Sequence, residues 1–429
     1  MNIYVVKPGD SLWSIARNFG VSMQRINEVN KLYEIPRLVI GQALVIPSTE
    51  RAYMVKPGES LWSIGRRFNV SVSSIAALNG ISSPYIINAG RVLRVPEASK
   101  NYGYIEVNAY IDPSTSEEDK KTIDEVGQYL TYISLFSYRV NPDGTLIPID
   151  DRAILDTAKQ YRNAPLLVIT NFKNGTFDSD LGHTILTSDT VQQNLINNVI
   201  RTMKSKGYYG LNIDFEKLFP ADKELYNNFL RKVVAALHPL NYIVTTALAP
   251  KISEAQVGAW YEAHDYKAHG EIVDFVVIMT YEWGWSGGPP LPVAPINQVR
   301  AVLNFALSVI PRSKIMMGMP LYGYNWALPY MPHGSFAPTV SPQKAISIAA
   351  KYGANIQYDW EAQSPFIKYV DEGGISHIIW FEDARSVQAK FRMASELGLR
   401  GVSYWVLGVS FPQNWAVLND MFNIVKVIR

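Results

Sequence analysis

The sequence predicts an α/β chain: a (β/α)8 barrel with a small α+β insertion between its seventh and eighth strands, preceded by two small βααβ modules. Three observations predict it. The first hundred residues contain one motif twice, from Tyr4 and again from Tyr53. Beyond residue 102, apolar strand-like runs alternate with amphipathic helices. One connection, between Trp326 and Gly401, is far longer than the few residues of an ordinary βα loop.

Composition narrows the partners. At 429 residues the chain is too long for one ordinary core. A hydrophobic content of 48% beside 18% charged residues describes a globular chain rather than a disordered one. Net charge is +2 and no basic block stands out, which argues against nucleic acid, because phosphate binding needs clustered Lys and Arg. The 10 Trp and 25 Tyr suit sugar stacking and core filling equally. There is no cysteine, so a disulfide framework, a thiol nucleophile and a cysteine-held zinc are excluded. Of the six histidines none sits in an HExxH pattern. His264 and His269 read as surface or packing residues, and neither a metal nor a cofactor is expected. No basic start precedes an apolar run at the N-terminus, so synthesis without a standard export signal is expected. The longest apolar stretch, Ile272 to Tyr281, is far short of the roughly 18 to 20 residues of a membrane span, and nothing demands more than a monomer.

The first module is expected over residues 1–48 and the second over 51–97. In the first, Tyr4 to Val6 alternates as a strand and Pro8-Gly9 turns the chain. Asp10 or Ser11 is placed to cap a helix carrying Leu12, Ile15, Ala16 and Phe19 at helical spacing. A second helix carries Ile26 and Val29, and Gly41 leads into a closing strand, Ala43 to Ile46. The same marks return through Asn79, Gly90 and Pro96. Both copies resemble the LysM family in the opening Tyr-x-Val run with Gly9-Asp10-Ser11-Leu12-Trp13, the Asn after helix two and the closing Gly-x-x-Leu-x-Ile-Pro. The resemblance implies binding to N-acetylglucosamine-containing glycan, with grooves near Gly9, Asp10, Ile35 and Pro36, and near Gly58, Glu59, Pro84 and Tyr85. Trp13 and Trp62 are read either as core residues or as part of that surface.

A polar linker at 97–101 leads into the large domain, 102–429. Its expected strands are Tyr104 to Tyr110, Tyr132 to Tyr138, Leu166 to Asn171, Gly210 to Phe215, Tyr242 to Ala247, Val273 to Tyr281, Ile315 to Pro320 and Gly401 to Val406. The clearest helix is Asp189 to Lys206, with Val191, Leu195, Val199 and Met203 on one face and Gly207 as its stop. Eight strands so joined predict a barrel of the TIM type. The long connection, 327–381, holds a helix from Pro342 to Tyr352 and three strand-like runs, Ile356 to Tyr358, Phe366 to Val370 and His377 to Phe381.

The fourth strand carries the chemistry. In Tyr209-Gly210-Leu211-Asn212-Ile213-Asp214-Phe215-Glu216, alternation turns Asn212, Asp214 and Glu216 into the barrel and Leu211, Ile213 and Phe215 toward the helices. Carboxylates stepping inward to the C-terminal end of a barrel strand are costly to bury and lie where such barrels place active sites. Two adjacent acids would also raise each other's pKa and keep Glu216 protonated near neutral pH. Asn108, Asn171 and Asn325, at the ends of strands one, three and seven, are further candidates to line the pocket.

This segment resembles the DGxDxDxE signature of family 18 glycoside hydrolases, and the likeness extends from about residue 102 to the end. Met279-Thr280-Tyr281-Glu282 is similar to the family's sixth-strand motif, and Gly318-Met319-Pro320-Leu321-Tyr322-Gly323-Tyr324 to its seventh. With the paired LysM modules, the chain resembles the SleL/YaaH group of spore cortex-lytic enzymes of bacilli. The resemblance implies a retaining, substrate-assisted β-N-acetylglucosaminidase acting on spore-cortex peptidoglycan during germination, in the outer spore layers at the coat/cortex boundary. Glu216 would be the general acid, Asp214 would orient the substrate's acetamido group, and Tyr281 would hold its oxygen. Asn212, Glu282, Tyr322 and Trp405 would contact the sugar, Trp405 as its floor, and Trp283 and Trp285 on a Gly-rich loop would stack on it. The sequence departs from the family at Tyr209 and Asn212, where the signature has Asp, and at Glu282, one methylene longer than the usual Asp. Asn212 is expected to hydrogen-bond Asp214 without sharing its proton. Two other readings stay open: an inactive glycan-binding coat protein, and a chitinase.

Overall fold

The computed structural model describes residues 1–47, 50–68, 70–96, 102–258 and 260–428, so the expected linker at 97–101 lies outside the described residues. In the first module the strands Asn2–Val5 and Ala43–Ile46 pair antiparallel, with Tyr4 opposite Leu44, around the helices Leu12–Phe19 and Met23–Asn30. The second repeats this with strands Glu50–Met54 and Val92–Pro96 and helices Leu61–Phe68 and Val72–Leu78.

Local chemistry explains the repeated motif. Ser11, not Asp10, caps the first helix, its hydroxyl accepting from the Ser14 amide at 3.0 Å. Asp10 instead closes the Pro-Gly turn by accepting from the Lys7 amide and the Tyr4 hydroxyl, both at 2.7 Å. Glu59 does the same for Lys56 and Tyr53. The Asn that follows helix two is a staple. Asn30 donates to Ile26 and Val45 carbonyls and accepts from the Val45 amide, each at 2.8 Å. Asn79 repeats the pattern on Ile75 and Arg94. Trp13 and Trp62 are not core. They are 56% and 62% exposed, and Ile15 and Ile64 fill the interior in their place.

The large domain closes eight parallel strands into a barrel: Tyr104–Ile111, Tyr132–Val140, Ala164–Thr170, Gly210–Asp214, Ile243–Leu248, Phe275–Ile278, Ile315–Pro320 and Gly401–Trp405. Pairing of Asn108 with Tyr132 closes the ring. The Asp189–Lys206 helix has the expected bounds. Ser188 caps it, and Gly207 ends it at φ 77°, a left-handed conformation that favours glycine. The sixth strand is shorter than its apolar run, because the Thr280 and Tyr281 amides fold back onto the carbonyls of Ile278 and Met279.

The insertion is a five-stranded antiparallel sheet in the order Thr339–Val340, Gly323–Leu328, Ser376–Trp380, Ser364–Val370 and Ile356–Asp359, covered by the helix Pro342–Tyr352. It starts at Gly323, earlier than the expected 327. Asn325 therefore belongs to this sheet, not to the barrel rim, and donates to the Tyr369 hydroxyl at 2.9 Å.

The first module is docked on the insertion. Val6, Ile35, Val39, Leu44 and Ile46 share one apolar core with Ala345, Ile346, Ala349, Ile356, Ile379 and Phe381. Around that core the Arg37 guanidinium donates to the Ala350 carbonyl, the Gln343 amide to the Lys31 carbonyl, and the Ile356 amide to the Ile40 carbonyl, at 2.9–3.1 Å. The second module keeps a separate core of Val55, Leu61, Ile64, Ile75, Ala76, Leu93 and Val95. It reaches the barrel through a hydrogen bond from Asn419 to the Ser74 hydroxyl.

Candidate active site

The strand Gly210–Asp214 lies between its parallel neighbours Ala164–Thr170 and Ile243–Leu248. Leu211, Ile213 and Phe215 pack outward, Phe215 stacking on Phe229 with 5.9 Å between ring centres. Asn212, Asp214 and Glu216 occupy the other face, and all three are buried.

Asn212 departs from expectation. It accepts from the Tyr110 hydroxyl at 3.1 Å and donates to Thr245 Oγ1 at 2.8 Å. Its amide is thus committed to the barrel interior rather than to Asp214, and its complete burial leaves no surface for a sugar.

Above it, Asp214 Oδ1 is buried with no hydrogen-bond partner among the described residues. Loss of water, and then the charge of Glu216, hold the Asp214 carboxyl well above the usual carboxylate range. Glu216 is pushed up to about 7. Burial is the main cause and the Glu282 charge adds to it, while the Trp260 hydrogen bond and Lys217 oppose it. Desolvation, rather than repulsion from Asp214, therefore dominates.

Two residues fix Glu216. Asn171 clamps its backbone, accepting from the Glu216 amide at 3.0 Å and donating to its carbonyl at 2.9 Å. Trp260 donates its indole N–H to Glu216 Oε2 at 2.6 Å. Asn171 therefore acts behind the carboxyl rather than as pocket lining, and Asn108 is likewise buried between Ser134 and Ser403. Sequence reasoning missed Trp260, which lies in a motif-free loop.

The rest of the rim is aromatic and acidic. Tyr281 is buried beside the pair, and Glu282 accepts from the hydroxyls of Tyr322 and, at 2.9 Å, Tyr324. Trp405 packs edge-on against Phe136 and Tyr110 at the end of the eighth strand. A cavity of about 470 Å³ opens on the Tyr281–Glu282 side of the rim, lined also by Trp260, Tyr261, Trp283 and Gln298, while Asp214, Glu216 and Trp405 stand outside its lining. Trp283 thus faces this cavity, whereas Trp285 folds over Gly287 and Gly288 toward Phe336. Among the described residues no cluster of three His, Asp or Glu could hold a metal. His264 and His269 are packing residues, both buried.

Comparison with known proteins fits this geometry. The sequence profile of the glycosyl hydrolases family 18 matches residues 106–409. The chain belongs to that family. It is a glycoside hydrolase, and the LysM domain profile matches residues 4–47 and 53–96. Over 99% of both chains it is 51% identical to a cortical fragment-lytic enzyme of Bacillus subtilis (strain 168). The crystal structure of the spore cortex-lytic enzyme SleL of Bacillus megaterium QM B1551 superposes with a TM-score of 0.84, at 44% identity and 99% coverage of both chains. That of Bacillus cereus SleL gives 0.85 at 43% identity, covering 99% of this chain and 98% of that one.

The LysM positions divide. Ile35 is buried in the core shared with the insertion, leaving Gly9 and Pro36 exposed and Asp10 half-buried. In the second module Gly58, Pro84 and Tyr85 are all exposed, with Glu59 half-buried. The Asp10 and Glu59 carboxylates are taken up by their own turns. No helix among the described residues is long and apolar enough to cross a membrane.

Proposed function

We propose that this glycoside hydrolase is a retaining β-N-acetylglucosaminidase that cleaves spore-cortex peptidoglycan, or fragments of it, by substrate-assisted catalysis during germination. The LysM modules would hold the glycan, and the place of action would be the outer spore layers at the boundary of coat and cortex.

The buried Asp214–Glu216 pair carries the reading. An ordinary retaining glycosidase needs one carboxyl as acid and a second as nucleophile. Here the other rim carboxyl, Glu282, is occupied by two tyrosine hydroxyls. What the pair offers instead is a proton on Glu216 and an unsatisfied acceptor on Asp214. Glu216 protonates the glycosidic oxygen as that bond to the anomeric carbon breaks. The 2-acetamido oxygen of the same sugar forms the new bond, giving an oxazolinium ion. Asp214 Oδ1 accepts the acetamido N–H, and the Tyr281 hydroxyl holds the acetamido oxygen. Burial and mutual repulsion disfavour two charges on the pair, so it shares one proton. With that proton on Glu216, Asp214 is the carboxylate that gains as positive charge develops beside it, which is differential stabilisation of the transition state. Water, deprotonated by Glu216, then opens the ring from the face the leaving group left, so configuration is retained. Trp405 and Trp283 offer ring faces to the sugars on either side of the cut. The near relatives named for cortex lysis direct the substrate toward cortex peptidoglycan over chitin.

The test is release of reducing ends from cortex peptidoglycan fragments by wild type and Glu216→Gln, with mass spectrometry of the products and NMR of the first-formed anomer. Loss of release in the variant, cleavage after N-acetylglucosamine and a β anomer are expected. Equal rates, or an α anomer, would remove the mechanism.

A further inference from the structure

We infer that Trp260 is a positioning residue for Glu216: its indole N–H engages Oε2 as an acceptor and so confines the transferable proton of the carboxyl to Oε1. The inference rests on the reading of Glu216 as the acid.

The geometry is specific. A neutral carboxyl has one hydroxyl oxygen and one carbonyl oxygen, and an indole N–H can only donate. With Nε1 at 2.6 Å, Oε2 must be the accepting oxygen. The two oxygens of Glu216 are then no longer equivalent, and the proton faces away from the indole. When Glu216 has given up that proton, the same N–H steadies the carboxylate that must next act as base.

The loop bearing Trp260 is fastened at its base to the strand bearing Glu216. His264 Nδ1 accepts from the Ala249 amide at 2.9 Å, which leaves Nε2 to donate to the Phe215 carbonyl, also at 2.9 Å. Burial lowers the His264 pKa to about 4, so the ring stays neutral and this tautomer persists. Lys251, fully buried, bridges Glu254 and the His264 carbonyl at 3.2 Å each. The Tyr266 hydroxyl accepts from the Lys251 amide and donates to the Ala249 carbonyl. Six hydrogen bonds made by three buried residues, His264, Lys251 and Tyr266, at the root of a loop are an unusual outlay for a surface excursion. Their joint effect is to set where Trp260, 36% exposed at the cavity wall, meets the carboxyl.

The other groups around Glu216 do not substitute for this contact. Glu282 is an acid whose charge raises the pKa of Glu216, Asp214 is itself raised by burial and by Glu216, and the hydroxyls of Tyr110, Tyr226 and Tyr281 are themselves pushed up by burial. Lys217 opposes them by its charge alone. Among the described residues the donor that touches the carboxyl is the indole.

Trp260→Phe keeps an aromatic face and deletes the donor. Rates on cortex fragments, measured from about pH 5 to 9, separate the possibilities. The alkaline limb of kcat/KM is expected to move up by about one pH unit, because the lost bond favoured the ionised carboxyl. kcat is expected to fall on the order of tenfold with KM changed less than about twofold. An unmoved limb, or a rise in KM alone, would show a sugar platform and overturn the inference. A melting curve matching wild type secures the fold. Glu216→Gln run alongside keeps the two ideas apart: if it stays active, the acid reading fails, and if it is dead while Trp260→Phe keeps the wild-type limb, only the role of Trp260 fails.

Discussion

A carboxyl that must hold a proton at neutral pH has to be a weak acid, and Glu216 is weakened mainly by the loss of water around it. Its protonated form is the competent one, so kcat/KM should decline as pH rises through about 7. The same shift sets a stability cost with a definite sign. The folded state holds this proton more tightly than the unfolded chain, whose Glu titrates near 4.5. The cost is absent below that value, grows as pH rises toward 7 and is constant above it. Glu216→Gln should therefore be more stable than wild type at pH 8 by on the order of 3 kcal/mol and indistinguishable from it near pH 4. Urea melts at the two pH values measure this, and equal differences at both would contradict it. Asp214→Asn keeps the shape but loses the ionisable group. It should lower kcat by about 10²- to 10³-fold while leaving the affinity for a non-hydrolysed glycan near wild type, as equilibrium binding would report. These two residues were legible because strand parity turns a D-x-E inward once its alternate positions are apolar. Trp260 was not, and Asn171 was legible as a strand-end residue of the site but not as the clamp on the Glu216 backbone. Both act through the folded path of a loop or a neighbouring strand, for which spacing carries no signal.

At the level of elements, the repeated Asn shows how one residue joins a helix end to a strand. Asn30 and Asn79 make the same three hydrogen bonds, but Asn30 is fully buried and Asn79 is not. Removing a buried partner leaves the Val45 amide and carbonyl without water to replace it, whereas solvent can serve Arg94. Asn30→Ala should thus cost about 1–3 kcal/mol and Asn79→Ala clearly less, as denaturant titrations of the two variants would show. Helices such as Asp189–Lys206 were legible to the residue, since caps and periodicity agree there. The sixth strand was overrun, because an apolar run records burial and not where pairing stops. The insertion was placed late for a related reason: Gly323-Tyr324 continues the seventh-strand motif in sequence while its backbone has already paired with Trp380 in another sheet.

Across the whole molecule the two LysM modules, alike in sequence, are not alike in attachment. The repeat predicts two equivalent units, and nothing in their motifs distinguishes them. The difference is written in what the far insertion presents: a helix with Ala345, Ile346 and Ala349 on the face that receives the first module. Two matched glycines test the consequence. Gly41 and Gly90 both turn at positive φ, 84° and 85°, so alanine is strained at either site by roughly 1–2 kcal/mol. A methyl at Gly90 meets nothing within 4 Å, whereas one at Gly41 would stand 1.9 Å from the Ile356 carbonyl oxygen. That oxygen is backbone on the insertion sheet and cannot step aside as a side chain would. Gly41→Ala should therefore push the first module off the insertion and deprotect amides on both sides of the contact, Ile40–Ala43 and Ile356–Asp359, in hydrogen exchange. Gly90→Ala should loosen only its own module. Confinement of both effects to the mutated module would mean that the shared core does not hold the first LysM module and the barrel together as one cooperative body.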